Sequence, residues 1–562
     1  MIKRLLASAA ALMFVFAFGS FDTSVYAEES VNPESSAGET GTGSDSESGE
    51  VLFNYRIKED GTAEITEWLA DSENIIIPVM IGDEMISSIG DYAFYGLEKV
   101  SMVMIPPTIE SIGEGAFLSC TALHSFVVAD TVENIGGCAF GCIYDEENET
   151  ITVDKDYIIY GYEETLAKEY AQKTGITYRD YTELMRFSEF NGKITLSQAD
   201  KRLHAAEIPA YVDGKPVVRI GDGLGGFKDC IYFAEVVIPD TVEEIGSCAF
   251  QNTMLFELEI PESVSKIGFS AFEDCIWLQK INIPGKVTTV EKNTFSGCVN
   301  LESIDLHDKI ESIGDYAFLN CVTMKSLSIP SSVKKIGDYA ISGCTDLESI
   351  SVSTDNKFYY ASDGVLFKET HWAGGNVTKD LVSYPAGRKG EDYTVPEGVQ
   401  KILKGAFSSC KNLRSVTVQN GTEQLETYAF CDSDSLEKVT LPSSVWIIER
   451  NFDNCPNLTV YAEKTDKIEE YISKLGEKDF KNFVLTEKTE EPEKKDKVTT
   501  GDINADGKID ITDLSLLSLY LIGDMEFTDI QKQAADTDKN GKTELPDLAT
   551  FRQFLSKVIE SF

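Results

Sequence analysis

The sequence predicts a repeat solenoid of short parallel strands followed by a small all-α module. The first observation behind this is a frame of 23 residues that starts at Cys275 and recurs at Cys298, Cys321 and Cys344. The second is a pair of Asp/Asn-rich loops late in the chain, each running into an apolar, helix-like segment. Repeats of about 20–29 residues are typical of solenoids, because one coil buries its apolar face only by stacking on its neighbours.

The shared frame reads C-x-x-L-x-x-I-x-I-P-x-x-V-x-x-I-G-x-x-A-F-x-x. The apolar pattern of Leu278, Ile281 and Ile283 predicts a short strand whose apolar side chains face inward. Pro284 ends that strand because proline has no N–H to donate to a sheet. Phe295 and its equivalents are expected to stack as an aromatic column on the far side of each coil.

Length and charge restrict the function. A chain of 562 residues predicts several domains, and a net charge of −44 argues against nucleic acid and against anionic membrane surfaces. Twelve cysteines in a secreted chain would suggest disulfides. Here they fall at repeat positions, where equivalent side chains ~4.8 Å apart point the same way, which suits disulfide geometry poorly. Buried free thiols are the favoured interpretation, and disulfides are the alternative.

The N-terminal segment has the pattern of a secretory signal peptide. Lys3 and Arg4 precede the apolar run Leu5–Phe18, and a V-Y-A cleavage site follows. This assigns residues 1–27 to the signal peptide, and the alternative, a membrane anchor, would need about 20 apolar residues. No other stretch is apolar enough to span a membrane, so we expect a secreted protein. Residues 28–50 are expected to form an acidic, disordered linker.

The solenoid then begins twice, which predicts a first array over 51–183 and a second over 184–486. Each array opens with a β-hairpin, turning at Asp-Gly 60–61 or Asn-Gly 191–192. Each closes with a helix-like stretch before its last strand. We expect the two arrays to pack end to end.

The second array contains an insertion at residues 355–395. Turn signals between β-prone runs predict a hairpin that projects from the stack. Its aromatic residues Tyr359, Tyr360, His371 and Trp372 are either an exposed recognition tip or side chains that pack the hairpin onto the solenoid.

Over residues 51–486 the repeats resemble the leucine-rich repeats of bacterial surface proteins, whose coils carry I-P-x-x-V-x-x-I-G-x-x-A-F-x-x-C. The resemblance implies a β-rich leucine-rich-repeat solenoid with hairpin insertions. It also implies a binding scaffold for a protein or cell-surface partner.

Two twelve-residue loops carry oxygen ligands at positions 1, 3, 5, 9 and 12, with a backbone carbonyl at position 7, the spacing of a calcium loop. The predicted ligands of the first loop are Asp502, Asn504, Asp506, the Lys508 carbonyl, Asp510 and Asp513. Those of the second loop are Asp536, Asp538, Asn540, the Lys542 carbonyl, Glu544 and Asp547. The pair of loops predicts two bound Ca²⁺ ions.

After a charged linker at 487–499, the duplicated loop-then-helix unit at 500–562 resembles the type I dockerin family. The first loop lacks a preceding helix, and both loops end in Asp, where an EF-hand has Glu. The resemblance implies calcium-dependent folding and docking onto a cohesin module of a scaffoldin in cellulosome-type assemblies of fibre-degrading bacteria. By the same resemblance, partner choice lies with Ile511, Thr512, Ser518 and Leu519 in the first half and Leu545, Pro546, Arg552 and Gln553 in the second. Because the halves differ, we expect one dominant docking orientation.

The sequence contains no recognisable catalytic site. Its four histidines lie in different repeats, and it has no H-E-x-x-H, nucleophile elbow, phosphate loop or dinucleotide fingerprint. We therefore predict a non-catalytic, secreted, cell-surface or cellulosome-associated binding protein. The alternative is a carbohydrate-binding or glycan-hydrolysing cellulosome subunit in polysaccharide breakdown. Its hydrolase form rests only on the association of dockerins with glycoside hydrolases, and the outward strand positions lack regularly spaced aromatic residues.

Overall fold

The structure is a computed structural model of the chain. It describes residues 40–44, 51–162, 165–223, 225–372, 375–447, 450–475, 482–486, 499–504 and 508–556. The predicted signal peptide, 1–27, lies outside the described residues, as does most of both predicted linkers. The chain divides into two compact units, Met1–Leu485 and Thr486–Phe562.

The first unit is a solenoid with two rows of short parallel strands. The first row is formed by the L-x-x-I-x-I segments and the second by the V-x-x-I-G segments. In the second row, Thr289 pairs with Ser312, and Ser312 pairs with Lys335, each 23 residues further along the chain. The repeat length in the sequence therefore equals one coil, and the predicted solenoid is confirmed.

The strands of this unit fall into three successive groups. The first group is β1 Thr40–Ser44, β2 Val51–Ile57, β3 Ala63–Trp68, β4 Asn74–Ile76, β5 Met80–Ile81, β6 Glu84–Ile89, β7 Met102–Met104, β8 Ser111–Ile112, β9 Ser125–Val127, β10 Asn134–Ile135, β11 Cys142–Asp145, β12 Thr150–Val153, β13 Ile158–Gly161 and β14 Thr177–Asp180. Helix α1, Leu166–Thr174, lies between β13 and β14.

A 3₁₀ turn at Tyr181–Leu184 leads into the second group. This group is β15 Met185–Phe190, β16 Lys193–Ala199, β17 Ala205–Glu207, β18 Tyr211–Val212, β19 Lys215–Ile220, β20 Glu235–Val237, β21 Glu244–Ile245, β22 Glu257–Leu258, β23 Lys266–Ile267, β24 Lys280–Ile281, β25 Thr289–Val290, β26 Ser312–Ile313, β27 Ser326–Ile329, β28 Lys335–Ile336 and β29 Ser349–Val352.

The third group is β30 Tyr359–Ser362, β31 Val365–His371, β32 Val377–Ser383, β33 Asp392–Thr394, β34 Val399–Ile402, β35 Ser415–Thr417, β36 Gln424–Leu425, β37 Lys438–Leu441, β38 Trp446–Ile447, β39 Thr459–Glu463 and β40 Phe483–Thr486. Helix α2, Asp466–Ser473, lies between β39 and β40.

The hairpin expected within 355–395 is present, but it does more than project from a continuous stack. It repeats the hairpins that open the other two groups, with a bulge just before Tyr55, Phe187 or Phe367. In all three hairpins the second strand then continues in parallel into the second strand row. The sequence signal was weaker here because a longer turn separates the strands. The predicted second array thus contains a third array start.

Buried residues form a separate cluster in each of the three groups. One cluster runs from Phe53 to Ile176, the next mainly from Leu184 to Leu366, and the last from Val365 to Tyr471. We therefore describe the unit as three arrays, each opened by its own hairpin.

The insertion's aromatic residues divide between the two predicted roles. Tyr359 is buried, and its hydroxyl accepts the Ile336 N–H at 2.8 Å. Tyr360 stacks on Phe367, with ring centroids 5.2 Å apart. His371 and Trp372 are exposed at the turn.

Part of the expected N-terminal linker is ordered. Strand β1 pairs antiparallel with β2, so that Gly41 lies opposite Tyr55. The polar T-G-T-G-S composition suggested a linker, but a glycine at this position allows the Tyr55 ring to lie against the β1 backbone.

The predicted aromatic column is present in the core. Rings of Phe250, Phe272, Phe295 and Phe318 follow one another with centroids 5.5 to 5.7 Å apart and planes within 5° of parallel. All four side chains are buried completely or almost so. Near-parallel rings at this spacing fill the interior of one coil after another.

The twelve cysteines are free thiols, as the repeat positions predicted. Cys298 donates its S–H to the Phe272 carbonyl at 3.1 Å, and Cys275, Cys321 and Cys344 each bond the equivalent phenylalanine carbonyl of the preceding coil. Burial raises the pKa of Cys275 and Cys344 to about 12. These thiols act as small core groups and not as nucleophiles.

The first two arrays pack side by side, and the expectation of end-to-end packing is wrong. The Tyr232 hydroxyl donates to the Ile77 carbonyl, and Arg202 bonds the Ser125 hydroxyl at 2.9 Å. Later coils of one array thus face earlier coils of the other. An apolar cluster that includes Met104, Tyr232 and Trp277 fills this contact, and the repeat frame alone does not reveal it.

Within the residues that the structure describes, no helix has both the length and the apolar character needed to cross a membrane.

His204 lies in the contact between the first two arrays and should make its stability depend on pH. Burial lowers the pKa of His204, whose Nε2 donates to the Ile105 carbonyl at 2.7 Å. Because the unfolded chain takes up a proton near pH 6.5 more readily, stability should fall as the pH drops below that value. We expect the urea midpoint to fall more between pH 7.5 and 5.5 in the wild type than in His204→Gln. An equal fall in both proteins would contradict this.

Candidate functional site

The second unit is a small helical module built around two loops. Its helices are α3 Ile511–Ile522, α4 Asp529–Ala535 and α5 Leu545–Leu555. Leu514, Leu517, Ala535 and Phe551 are among the side chains that form its apolar core. Helices α3 and α5 each follow one of the Asp/Asn-rich loops, so the core holds the two loops on equivalent supports.

The second loop gathers carboxylates around one point. Oxygens of Asp536, Asp538 and Asp547 all lie within 4.8 Å of one another. The loop backbone curls around Asp536, whose carboxylate accepts the Asn540 N–H at 2.9 Å and the Gly541 N–H at 2.8 Å. Among the described residues this arrangement brings together three of the predicted ligands of the second loop.

The last ligand position of each loop is a completely buried aspartate. Asp547 Oδ1 accepts the Asp538 N–H at 3.1 Å, and Oδ2 accepts the Glu544 N–H at 2.9 Å. Asp513 does the same in the first loop, with the N–H groups of Asn504 and Asp510 at 3.1 and 3.0 Å. Each aspartate therefore ties the start of its loop to the start of the following helix.

These donor sets fit a hard divalent cation. Asp513 and Asp547 are buried carboxylates, and no Lys or Arg of the described chain forms an ion pair with either. Buried charges need a compensating partner. Hydrogen bonding from Thr512 lowers the pKa of Asp510, which keeps that predicted ligand ionised. Carboxylate, amide and carbonyl oxygens are the ligands that Ca²⁺ prefers.

The remaining predicted ligands lie along the same loops. Asp502 and Asp510 are half-buried, whereas Asn504 and Glu544 are exposed. The Asn540 side-chain amide donates to Asp538 at 2.9 Å, and its Oδ1 accepts the Lys542 N–H at 2.9 Å. Lys508 is exposed. Asp506 lies outside the described residues.

The residues to which the dockerin resemblance assigns partner choice lie on α3 and α5 or at their starts. Ile511 and Leu545 occupy equivalent first positions and are 65% and 70% exposed. Also exposed are Thr512, Leu519, Pro546, Arg552 and Gln553. Ser518 is half-buried, and its hydroxyl donates to the Leu514 carbonyl at 2.8 Å.

Sequence reasoning missed other exposed apolar side chains of the module. Ile522 is 69% exposed at the end of α3, and Ile530 is 50% exposed on α4. The sequence could have indicated them, because each is an apolar residue in a helix but lies outside the apolar core of the module.

A separate polar cleft of about 560 Å³ lies in the solenoid where the second array meets the third. The first strand row is interrupted there, since among the described residues β29 pairs only with β27, and β33 only with β35. Lys389 lies 3.3 Å from Glu348, and Lys411 pairs with Asp346. The charged side chains lining the cleft are Lys325, Asp346, Glu348, Lys389, Glu391, Lys411 and Arg414.

Comparison with protein families gives two matches. Residues 72–160, 223–355 and 387–499, more than half of the chain, match the BspA type leucine rich repeat region, in six copies. Residues 500–556 match the type I dockerin domain, a class of calcium-binding module. Neither region is a catalytic domain. No protein with a curated description matches the chain.

Several solved structures are similar to the chain. A leucine rich cell surface protein from Faecalibacterium prausnitzii is 22% identical, with 74% of this chain and 87% of that chain covered and a TM-score of 0.33. A leucine-rich repeat protein from Bacteroides ovatus is 21% identical, with 78% of this chain and 98% of that chain covered and a TM-score of 0.30. The pneumococcal vaccine antigen PcpA is 16% identical, with 76% of this chain and 82% of that chain covered and a TM-score of 0.29.

The buried carboxylate of Asp547 should be needed for the fold of the helical module. In Asp547→Asn the side-chain amide nitrogen takes the place of one acceptor oxygen, which leaves a backbone N–H without its partner. A buried donor left in this way costs about 1–3 kcal/mol. We expect a lower melting temperature for the module, measured on the full chain by circular dichroism at 222 nm.

The matched control is Asp524→Asn, which changes an exposed carboxylate of the same module. An equal effect of the two substitutions would show that the Asp547 hydrogen bonds do not support the loop.

Proposed function

Because this chain belongs to the BspA-type leucine-rich-repeat family and carries a type I dockerin domain, we propose that it is a secreted, non-catalytic binding protein of a cellulosome-type assembly. The dockerin, loaded with Ca²⁺, attaches the protein to a cohesin module of a scaffoldin. The repeats hold a protein or cell-surface partner.

The observation that carries the docking half of this proposal is the duplicated buried aspartate. Asp513 and Asp547 occupy the same position and bind equivalent backbone N–H groups. Two such loops support two Ca²⁺ ions, one held by each set of predicted ligands. The ions offset the repulsion between the clustered carboxylates, so that metal binding and folding of the module are coupled.

The exposed starts of α3 and α5 support a cohesin-binding role for both halves of the module. Ile511 and Leu545 place an apolar side chain at equivalent positions. Further along each helix the halves differ, because Ser518 of the first half corresponds to the charged Arg552, and the apolar Leu519 corresponds to the polar Gln553. Apolar anchors surrounded by polar side chains are typical of protein interfaces. The difference between the halves supports one dominant docking orientation.

The cleft between the second and third arrays supports the repeat-mediated half of the proposal. Four cationic and three anionic side chains line it, in a chain whose net charge is −44. Cations are therefore concentrated there relative to the rest of the chain. Alternating charges favour a protein surface with the opposite alternation. We propose this cleft as the binding site for a protein partner.

Calcium titration of the full chain tests the docking half. By isothermal titration calorimetry we expect two Ca²⁺ per chain, and one in either Asp502→Ala or Asp536→Ala, because each substitution removes the first ligand of one loop. Chelation with EDTA should abolish cohesin binding. Asp524→Ala, an exposed carboxylate outside the loops, should retain both ions.

Calorimetric titration of the Ca²⁺-loaded chain with a cohesin module distinguishes the contributions of the two halves of the dockerin. With one dominant orientation, Ile511→Glu and Leu545→Glu should differ at least tenfold in cohesin affinity. Full affinity in both variants would contradict a single orientation, and calcium uptake without any cohesin binding would contradict docking itself.

Binding of the full chain to bacterial surface proteins tests the cleft. The double substitution Lys389→Glu and Arg414→Glu reverses two cleft charges and should reduce retention of the captured protein at least fivefold. Lys334→Glu, which reverses an exposed charge paired with Glu311, serves as the matched control. Equal retention by all three proteins would exclude the cleft as the binding site.

A further inference from the structure

The outer edge of β15 differs from the equivalent edges in the other two arrays. In the first array β1 pairs with the outer edge of β2, and in the third array β30 pairs with the outer edge of β31. In the second array β15 lies at the end of its sheet and pairs only with β16 among the described residues. The same hairpin is therefore covered twice and open once.

The open edge leaves an aromatic side chain incompletely covered. Tyr55 and Phe367 follow the bulge in their hairpins and are 5% and 1% exposed. Phe187 occupies the same position but is only half-buried. In the third array the covering strand places Tyr360 directly opposite Phe367, with the rings stacked. Phe187 has no such partner within the described part of the chain.

Backbone groups on this edge also face outward. Asn191 and Gly192 have φ values of 52° and 76°, the conformation of a two-residue hairpin turn. Phe190, next to the turn, therefore bonds across to Lys193, with which it pairs. Because the direction of N–H and C=O alternates along a strand, those of Phe187 and Glu189 point away from β16. An unpaired edge of this kind is a template for another strand.

We propose that a second copy of this chain covers the edge, through antiparallel pairing of β15 with β15 about a two-fold axis at Phe187. Directly opposite residues in antiparallel strands place their side chains on the same face of the sheet. In a two-fold pairing of β15 with itself, opposite residues are therefore an even number of positions apart, and the axis passes through the residue midway between them. With Phe187 on the axis, its outward N–H and C=O pair with those of the partner copy. The second Phe187 ring then takes the place that Tyr360 takes in the third array.

The charges along β15 agree with this register. Arg186 faces Ser188, and Met185 faces Glu189, so no like charges lie opposite each other. The neighbouring Glu189 is already paired with Lys215 at 2.6 Å. A register centred on Glu189 would instead oppose two carboxylates. An extended segment of a different protein is the other possible occupant, and the experiment distinguishes it from a second copy.

Sedimentation velocity of the full chain over about 1–100 µM tests the proposal. We expect the wild type to form a dimer, and Phe187→Lys to remain monomeric or to dimerise at least tenfold more weakly, because two ammonium groups would meet at the axis. Phe190→Lys is the matched control, since Phe190 is 78% exposed on the same strand but lies away from the axis. It should dimerise as the wild type does.

Hydrogen exchange of the segment 185–190 gives a second readout that does not depend on mutation. Its protection should increase with protein concentration in the wild type and in Phe190→Lys but not in Phe187→Lys. A wild type that is monomeric throughout, or a Phe187→Lys variant that dimerises normally, would overturn the proposal. So would protection that appears only when another protein is added.

Discussion

The structure of the solenoid depends on stacking of equivalent side chains on successive coils. A strand of two to four residues has too few hydrogen bonds to be stable alone. Its apolar residues are buried only because the coil before and the coil after present the same residue at the same place. The phenylalanine column from Phe250 to Phe318 is the clearest example, with nearly parallel rings. A side chain at such a position must pack against the equivalent side chains of the coil before and the coil after. This requirement explains why the 23-residue frame is so regular.

Much of this could be predicted from the sequence, because the repeat frame and the calcium loops are local patterns. The strand β24, which occupies Lys280–Ile281 within the predicted segment Leu278 to Ile283, follows from residue type and spacing alone, as do the phenylalanine column and the buried thiols. The third array start was recognised only as a hairpin, since a longer turn obscures its likeness to the other two. Side-by-side packing of the first two arrays depends on contacts such as Tyr232 with Ile77, far apart in sequence. No periodicity records such contacts.

In the helical module the sequence predicted the ligand positions but not the role of the last one. Position 12 was expected to be a metal ligand, and in the structure Asp513 and Asp547 also hold the loop backbone. The carboxylate proposed as a metal ligand thus also supports the fold of its loop. Seven of the residues assigned to partner choice are exposed, as an interface requires, because the module's small core uses only one face of each helix.

The three bulged hairpins have a consequence for the way in which the solenoid resists tension. In the proposed function, the protein is attached to a larger assembly through its dockerin and to a partner through its repeats, so that load would pass along the solenoid. In an unbroken stack, loss of one coil exposes the next, and unravelling spreads. Here each array begins with a hairpin whose first strand contributes a buried apolar side chain, namely Phe53, Met185 or Val365. Unfolding that starts in one array must therefore disrupt the hairpin and the separate apolar cluster of the next array before it can spread further.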